Sequence, residues 1–155
     1  GFNIYLEYKN FDFTAFFQGV QGVDIISDLK KETDIWAGLN IGFLNKGRRL
    51  LDAWSATNPN SNIPAVSLSD NNNEKRVSSY WVENGSYLKL RTVQIGYNVP
   101  KSFAQKLAME RLRFYLSAQN LFTVKSSSFT GVDPENPNYG YPIPLNITFG
   151  LNVTF

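Results

Sequence analysis

The last eleven residues of the chain alternate strictly between apolar side chains and polar or small ones. The apolar positions are Leu145, Ile147, Phe149, Leu151, Val153 and Phe155. Successive side chains of a β-strand point to opposite faces, so the segment predicts a strand with one apolar and one polar face. Its length matches a tilted transmembrane strand of about 9–11 residues, and an aromatic end fits the girdle at a membrane boundary. A half-buried strand of a soluble β-sandwich gives the same alternation and stays open as the alternative.

The composition agrees with strands that are apolar on one face only. Aromatic residues make up 15% and charged residues 18% of the 155 residues, and the mean hydropathy is −0.26. A typical charged share is about 25%. No window approaches the ~18 apolar residues of a spanning helix. The net charge of +2 comes from scattered Lys and Arg and does not indicate a nucleic-acid partner.

The chain contains no Cys and no His. Transition-metal sites built on these residues are therefore excluded, and so is catalysis by Ser-His-Asp or Cys-His groups. We expect no enzyme activity, no cofactor and no metal site in this chain.

The first residues predict a hairpin. Alternation covers residues 2–9 and resumes over 11–22, with a tight turn at Lys9-Asn10. The pattern is then lost, and we expect a loop over 23–85. Within that loop, Leu44, Leu50, Leu51 and Trp54 suggest a short amphipathic helix. The tracts 58–64 and 70–74 are rich in Asn, Pro and Asp, which is typical of loops.

Three further strands are predicted at residues 86–99, 111–124 and 145–155. The first of them keeps one apolar face only if it bulges near Arg91-Thr92. Ser102 and Gln105 have capping-box spacing, and Phe103 and Leu107 lie four residues apart, so a two-turn helix is expected between strands. A second loop covers residues 125–144.

The connections alternate between short and long. In an antiparallel sheet both long loops then leave one end and both short connections leave the other, as in outer-membrane barrels with extracellular loops and periplasmic turns. This arrangement predicts a short periplasmic helix, a periplasmic C-terminus and a membrane girdle at one rim, formed by Tyr8, Phe11, Tyr97 and Phe155. Five strands cannot close a barrel, and an exported protein needs a signal peptide that this chain does not show. We therefore expect an all-β fragment: the last five strands of a larger transmembrane β-barrel.

Several motifs resemble one family. They are Tyr5-Leu-Glu-Tyr-Lys-Asn-Phe-Asp-Phe13, Asn58-Pro-Asn-Ser-Asn-Ile-Pro64, Asn84-Gly-Ser-Tyr-Leu-Lys-Leu-Arg-Thr-Val-Gln-Ile-Gly-Tyr-Asn-Val-Pro100, Leu112-Arg-Phe-Tyr-Leu-Ser-Ala-Gln-Asn-Leu-Phe-Thr123, Gly140-Tyr-Pro-Ile-Pro144 and Phe149-Gly-Leu-Asn-Val-Thr-Phe155. In this order, and over almost the whole chain, they resemble the C-terminal end of the SusC/RagA-like TonB-dependent outer-membrane transporters.

The resemblance implies a barrel of about 22 strands with a plugged lumen. It implies import of oligosaccharides or peptides across the outer membrane, together with a SusD-like surface lipoprotein. Energy is expected from TonB, which acts through the plug and an N-terminal region upstream of this chain. The expected partners are thus the remainder of the barrel and the plug, the lipoprotein, TonB, outer-membrane lipid and the substrate.

The loops hold candidate contacts for a substrate or a partner: Trp36, Trp54, Trp81, Asp133, Asn136, Tyr139 and Tyr141. Aromatic rings stack on the apolar faces of sugars, although aromatics in a long loop also pack its own small core. Trp54 suits the packing role because it continues the stripe of Leu50 and Leu51. The run 133–138 concentrates oxygen atoms but lacks EF-hand spacing, so a Pro-stiffened loop explains it better than calcium binding. Lys89, Arg91 and Arg113 are expected on the lumen side, facing a plug or water.

Two other functions are alternatives to the transporter. A secreted β-sandwich that binds glycans through the loop tryptophans would make this chain soluble and monomeric on its own. A glycosidase would need two carboxylates on either side of a cleft, which neighbouring Asp133 and Glu135 do not supply.

Overall fold

The computed structural model describes residues 1–34, 46–67, 73, 76–138 and 140–155. The chain divides into two compact units. The sheet unit comprises Gly1–Gln21, Ser86–Lys125 and Ile143–Phe155, and the loop unit comprises Gly22–Gly85 and Ser126–Pro142.

The sheet unit is an open antiparallel sheet of five strands, in the spatial order β1-β2-β5-β6-β7. The strands are β1 (Phe2–Tyr8), β2 (Phe11–Val20), β5 (Tyr87–Asn98), β6 (Arg111–Lys125) and β7 (Asn146–Thr154). Neighbours in the sheet are also neighbours among these strands in sequence, as in the wall of an up-and-down barrel. The prediction of an all-β, unclosed barrel fragment is confirmed. The strands differ from the predicted ranges by one or two residues at their ends.

A two-residue turn at Lys9-Asn10 joins β1 to β2, since Tyr8 pairs with Phe11. Lys9 has a φ of 54°, the positive value that the first position of such a tight hairpin turn requires. The turn fixes the register between the two strands, and the register in turn decides which side chains share a face.

The predicted bulge in β5 is confirmed. The pairing with β2 steps from Phe16–Thr92 directly to Phe17–Leu90, which leaves Arg91 as an extra residue. The pairing of β5 with β6 also shifts register between Leu90 and Thr92. There Asn120 takes a φ of 55°, which Asn tolerates better than most residues. Leu88 and Leu90 thereby stay on the same face as Val93 and Ile95.

The connections divide by length between the two ends of the sheet. The β1–β2 turn and the segment between β5 and β6 leave one end, where Tyr97 pairs with Phe11 and Phe114. The segments between β2 and β5 and between β6 and β7 leave the other, where Tyr87 pairs with Val20 and Lys125. In the described part of the chain, no helix is long and apolar enough to cross a membrane.

The β5–β6 connection contains α2 (Lys101–Ala104) followed by a 3₁₀ turn, Gln105–Leu107. The expected helix is present, but the predicted capping box is wrong. Pro100 is the N-cap and makes no side-chain cap bond, while Ser102 lies inside the helix. Proline sets the entry to the helix by its rigid φ, but its ring offers no acceptor for a side-chain cap bond.

The loop unit has more regular structure than the sequence predicted. It contains β3 (Asp24–Ile26), α1 (Asp28–Asp34), β4 (Val82–Asn84) and two 3₁₀ turns, Arg48–Asp52 and Ser79–Trp81. β3 and β4 pair in a separate antiparallel ribbon of two strands. The sequence predicted only one short helix within the loop over 23–85, so β3, α1 and β4 were not expected.

The amphipathic helix predicted from Leu44, Leu50, Leu51 and Trp54 is also wrong. Only Arg48–Asp52 is helical among the described residues of that stretch, as one 3₁₀ turn, and Trp54 lies beyond its end. Leu51 is 87% exposed, so the apolar spacing does not mark a buried stripe here. Leu44 lies outside the described residues.

Candidate functional site

One face of the sheet is apolar and largely exposed in this chain. Its side chains, called here the apolar face, follow the register across all five strands. The rows are Ile4, Ala15, Val93, Ala118 and Ile147; Leu6, Phe13, Ile95, Leu116 and Phe149; and Tyr8, Phe11, Tyr97, Phe114 and Leu151. Phe149 is 68% exposed and Leu151 54%. A continuous exposed apolar surface of this kind is what a transmembrane wall presents to lipid.

The apolar face ends in a band of aromatic rings. Tyr8, Phe11 and Tyr97 form one row at the end with the short connections, and the Phe11 and Tyr97 rings meet at a tilted angle of 48° with centroids 4.8 Å apart. Phe155 follows the last strand at the same end and is 86% exposed. The four residues expected to form a girdle thus share one rim of the sheet unit.

The opposite face is polar and holds an ion pair. Arg113 of β6 binds Asp12 of β2 in bidentate geometry, with Nη2–Oδ1 and Nε–Oδ2 distances of 2.6 and 3.0 Å. The pair reaches across β5 at Gly96, where a Cβ atom would collide with both side chains. Asn98 adds a 3.2 Å hydrogen bond to Asp12. Because both partners are mostly shielded from solvent, this pair is more than a surface contact.

Nearer the long loops, the same face carries Gln18, Lys89 and Arg91. Arg91 Nε donates a 2.9 Å hydrogen bond to Gln18 Oε1. Lys89 is fully buried, and its ammonium lies 5.9 Å from the centre of the Tyr87 ring. These cations point away from the apolar face, as the expected lumen orientation requires.

A buried carboxylate organises part of the loop unit. Glu83 of β4 accepts hydrogen bonds from the Thr130 backbone N–H at 2.9 Å and the Thr130 hydroxyl at 2.8 Å. Lys30 Nζ lies 3.2 Å from the same carboxylate, whose side chain is 1% exposed. Ser27 in turn lies 3.3 Å from the Thr130 hydroxyl. The segment after β6 is thereby bound to β4 and α1 within one unit.

A second buried carboxylate, Asp34, lies at the end of α1. Arg49 Nε contacts both of its oxygens, at 2.7 and 2.6 Å, and the Tyr80 hydroxyl donates to Oδ2 at 2.6 Å. Burial raises the pKa of the Tyr80 phenol above its ordinary value, and the hydrogen bond to Asp34 and its charge raise it further. The phenol therefore stays a protonated donor to this carboxylate at neutral pH.

Two of the three loop tryptophans are described, and they lie in different environments. Trp81 is 1% exposed; its indole N–H donates to the Arg76 carbonyl at 2.8 Å and its ring meets Tyr80 edge-on. Trp54 is 48% exposed, and its backbone N–H binds the Ile63 carbonyl at 2.8 Å. Trp36 lies outside the described residues.

The candidates after β6 also differ. Asp133 is buried, accepts a hydrogen bond from the Glu135 N–H and closes a tight turn with Asn136. Tyr141 is 96% exposed, whereas Tyr139 lies outside the described residues. Among the residues that the structure describes, no cluster of acidic side chains is arranged to hold a metal ion.

The sequence did not reveal the Asp12–Arg113 pair or the Glu83 network. The Asp12–Arg113 pair could be predicted from opposite charges on two strands that flank a strand with a glycine, but only once the register is known. Glu83 and Thr130 are 47 residues apart, and no local pattern joins them.

No protein-family model matches the chain. The chain is similar along its whole length to curated proteins of Formosa agariphila. It is 36% identical to TonB-dependent receptor P3 over 171 residues and 35% identical to TonB-dependent receptor P26 over 173 residues. The chain spans only 16% of the length of these relatives, so it corresponds to a segment of them.

Solved structures give the same picture. The chain superposes on a structure of the RagAB peptide transporter with a TM-score of 0.78 and 28% identity, over 99% of this chain and 17% of that one. A structure of the RagAB peptide importer in the "open-open" state gives a TM-score of 0.76 at 25% identity.

Proposed function

We propose that this chain, which is similar over its whole length to TonB-dependent receptors and to the RagAB peptide transporter, forms part of the wall and the extracellular loops of a SusC/RagA-like outer-membrane nutrient importer. The observation that carries the proposal is the two-faced sheet. Its exposed apolar face suits contact with lipid, and its polar face with the Asp12–Arg113 pair suits a lumen.

The lengths of the connections support an orientation for this wall. The short connections and the aromatic rim belong on the periplasmic side, as does the C-terminus, while the two long connections leave the sheet on the extracellular side. This assignment matches the usual barrel arrangement of short periplasmic turns and longer external loops.

The cargo is an oligosaccharide or a peptide. A SusD-like lipoprotein closes the barrel from outside, and TonB supplies energy through the plug. The RagAB peptide transporter, which this chain resembles in fold and sequence, supports a peptide as one of these cargoes. The chain itself carries no catalytic step in this proposal.

Among the loop candidates, Trp54 and Tyr141 have exposed rings and are proposed to contact the cargo or the lipoprotein. Trp36 and Tyr139 remain candidates on sequence grounds. Trp81 and Asp133 are buried and support the loop unit from within, and Asn136 acts with Asp133 in their shared turn.

The proposal is tested by uptake in a strain that lacks the complete receptor gene. Restoring the gene should restore growth on one class of nutrient, oligosaccharide or peptide, and only when TonB is present. Tyr141→Ala should reduce uptake while leaving the amount of receptor in the outer membrane unchanged. Equal uptake with and without the receptor, for both classes, would refute import as the function.

The secreted β-sandwich is less well supported. The described residues form one sheet of five strands and a ribbon of two, whereas a sandwich needs two sheets packed face to face.

A further inference from the structure

The connection between β5 and β6, residues 99–110, exposes two large apolar side chains. Phe103 is 59% exposed and Leu107 49% exposed, and they lie four residues apart, one helical turn along the segment. Ala104, between them, is fully buried and fixes the segment against the rest of the sheet unit. Phe103 and Leu107 are thus presented by an anchored element.

The end of this segment is held in a defined shape. Ala108 takes a φ of 56°, its N–H binds the Gln105 carbonyl at 3.1 Å, and the Met109 N–H binds the Ala104 carbonyl at 3.1 Å. These two bonds form a complete Schellman motif, which fixes where the helical turn stops. Phe103 and Leu107 therefore keep their relative positions.

Cationic side chains occur in the same segment and in the neighbouring turn. Lys101 and Lys106 are exposed in the same segment, and Lys9 extends from the neighbouring β1–β2 turn, 5.3 Å from the centre of the Tyr8 ring. Glu110 is the one carboxylate of the segment. An apolar pair flanked by lysines matches the chemistry of a lipid surface. The apolar side chains suit the acyl chains, and the lysines suit the phosphate groups.

The segment is also continuous with the aromatic rim. The Val99 N–H binds the Leu112 carbonyl at 2.9 Å, next to the row that contains Tyr97 and Phe114. Apolar surface at Phe155 lies at this same end of the sheet. A lipid layer that covers the apolar face ends beside the segment.

We propose that residues 99–110 form an interfacial anchor on the periplasmic leaflet of the outer membrane. Phe103 and Leu107 insert among the upper acyl chains, about 5–10 Å deep as interfacial helices do, and Lys101, Lys106 and Lys9 bind phospholipid phosphates. The inference rests on the proposed barrel function, because it requires the apolar face to meet lipid. It adds a lipid contact made by a connection rather than by a strand.

The test uses spin labels on single cysteines in the complete receptor, made free of other cysteines and reconstituted in phosphatidylethanolamine–phosphatidylglycerol vesicles. Labels are placed by Phe103→Cys, Leu107→Cys and Gln105→Cys, with Leu116→Cys as a reference in the wall. Gln105 is the matched control, since it is exposed on the same turn and half a turn away from the apolar pair. Collision rates with oxygen, which enters lipid, and with a water-soluble nickel complex report the depth of each label.

Labels at 103 and 107 should collide more with oxygen than with nickel and lie at a shallow depth. The label at 105 should favour nickel, and the label at 116 should be deepest. The anchor is refuted if the labels at 103 and 107 have the same collision rates as the label at 105. It is also refuted if a plug or a second receptor shields them from both reagents. In that case a lipid-exposed label at 116 still supports the wall, whereas loss of oxygen access at 116 contradicts the proposed function itself.

Discussion

Gly96 occupies a crossing point on the polar face. The Arg113 and Asp12 side chains meet directly above it, and a Cβ atom there would approach Asp12 to 2.5–2.6 Å and contact Arg113 as well. The absence of a side chain, rather than backbone freedom, is what this position requires. Asp12 and Arg113 can meet across β5 only because β5 has no side chain at this position.

Gly96→Ala should therefore push the two charges apart and lower the stability of the complete receptor by about 1–3 kcal/mol, as overpacking does. The temperature at which the folded, heat-modifiable form is lost reports this change. Gly140→Ala is the control, because a Cβ atom at Gly140 meets nothing within 4 Å. Equal melting temperatures for the two variants would show that the ion pair does not need the gap.

Ala108 takes a left-handed conformation that glycine adopts at lower cost. Ala108→Gly should raise the stability of the receptor by about 0.5–1 kcal/mol, since relief of backbone strain exceeds the added chain entropy. Ala104→Gly, in the buried part of the same helix, should instead lower it by about 1 kcal/mol. Thermal unfolding of both variants beside the parent protein checks the opposite signs.

The Tyr80 phenol makes the loop unit sensitive to alkaline pH. Burial and the neighbouring Asp34 raise its pKa above the ordinary tyrosine value of 10.0. The unfolded chain loses this proton near pH 10, while the folded unit retains it to higher pH. The stabilisation is therefore complete below about pH 10 and is lost as the pH rises through the folded-state pKa.

Tyr80→Phe removes the ionisable proton at this site. From pH 9 to pH 11, the parent loop unit should lose more protection from hydrogen exchange in residues 27–34 and 76–83 than the variant loses. The comparison is made at matched pH, so that intrinsic exchange rates cancel. An identical pH dependence in both proteins would contradict a raised pKa at Tyr80.

At the scale of elements, the strands and the loops were predictable to different degrees. Each strand of the sheet has an alternating pattern of its own, and the bulge at Arg91 was visible as a phase shift in that pattern. The loop unit instead depends on contacts between distant residues, such as Lys30–Glu83 and Arg49–Asp34. Local periodicity does not indicate such contacts, and so β3, β4 and the burial of Trp81 were not predicted.

The Glu83 carboxylate joins two separate stretches of the loop unit. Glu83→Ala should leave the Lys30 ammonium without its carboxylate and the Thr130 N–H without its acceptor, and should destabilise the unit by about 2–4 kcal/mol. Faster hydrogen exchange at residues 126–133, with unchanged exchange in β5 and β6, is the expected readout. Asp28→Ala, which breaks only the exposed pair with Lys31, should change exchange little. Similar exchange in both variants would show that Glu83 does not hold the second loop.

At the scale of the whole molecule, the sheet that the structure describes has unpaired edges and an uncovered apolar face. Both edge strands, β1 and β7, have one side without a partner strand among the described residues, and the apolar face has no protein cover there. Completion of a barrel pairs the edges, and a bilayer covers the face. The chain's share of 16% of its relatives' length agrees with a wall segment that is completed by the rest of the receptor.

The central claim is that lipid touches one face of this sheet and not the other. The most direct test places bimane labels at four positions of the complete receptor. Leu116 and Phe149 are cross-strand neighbours on the apolar face, and Ser117 and Thr148 are cross-strand neighbours on the polar face. Lipids with a nitroxide in mid-chain should quench the labels at 116 and 149 strongly and those at 117 and 148 weakly. Equal quenching at all four positions, or stronger quenching at 117 and 148, would contradict the account.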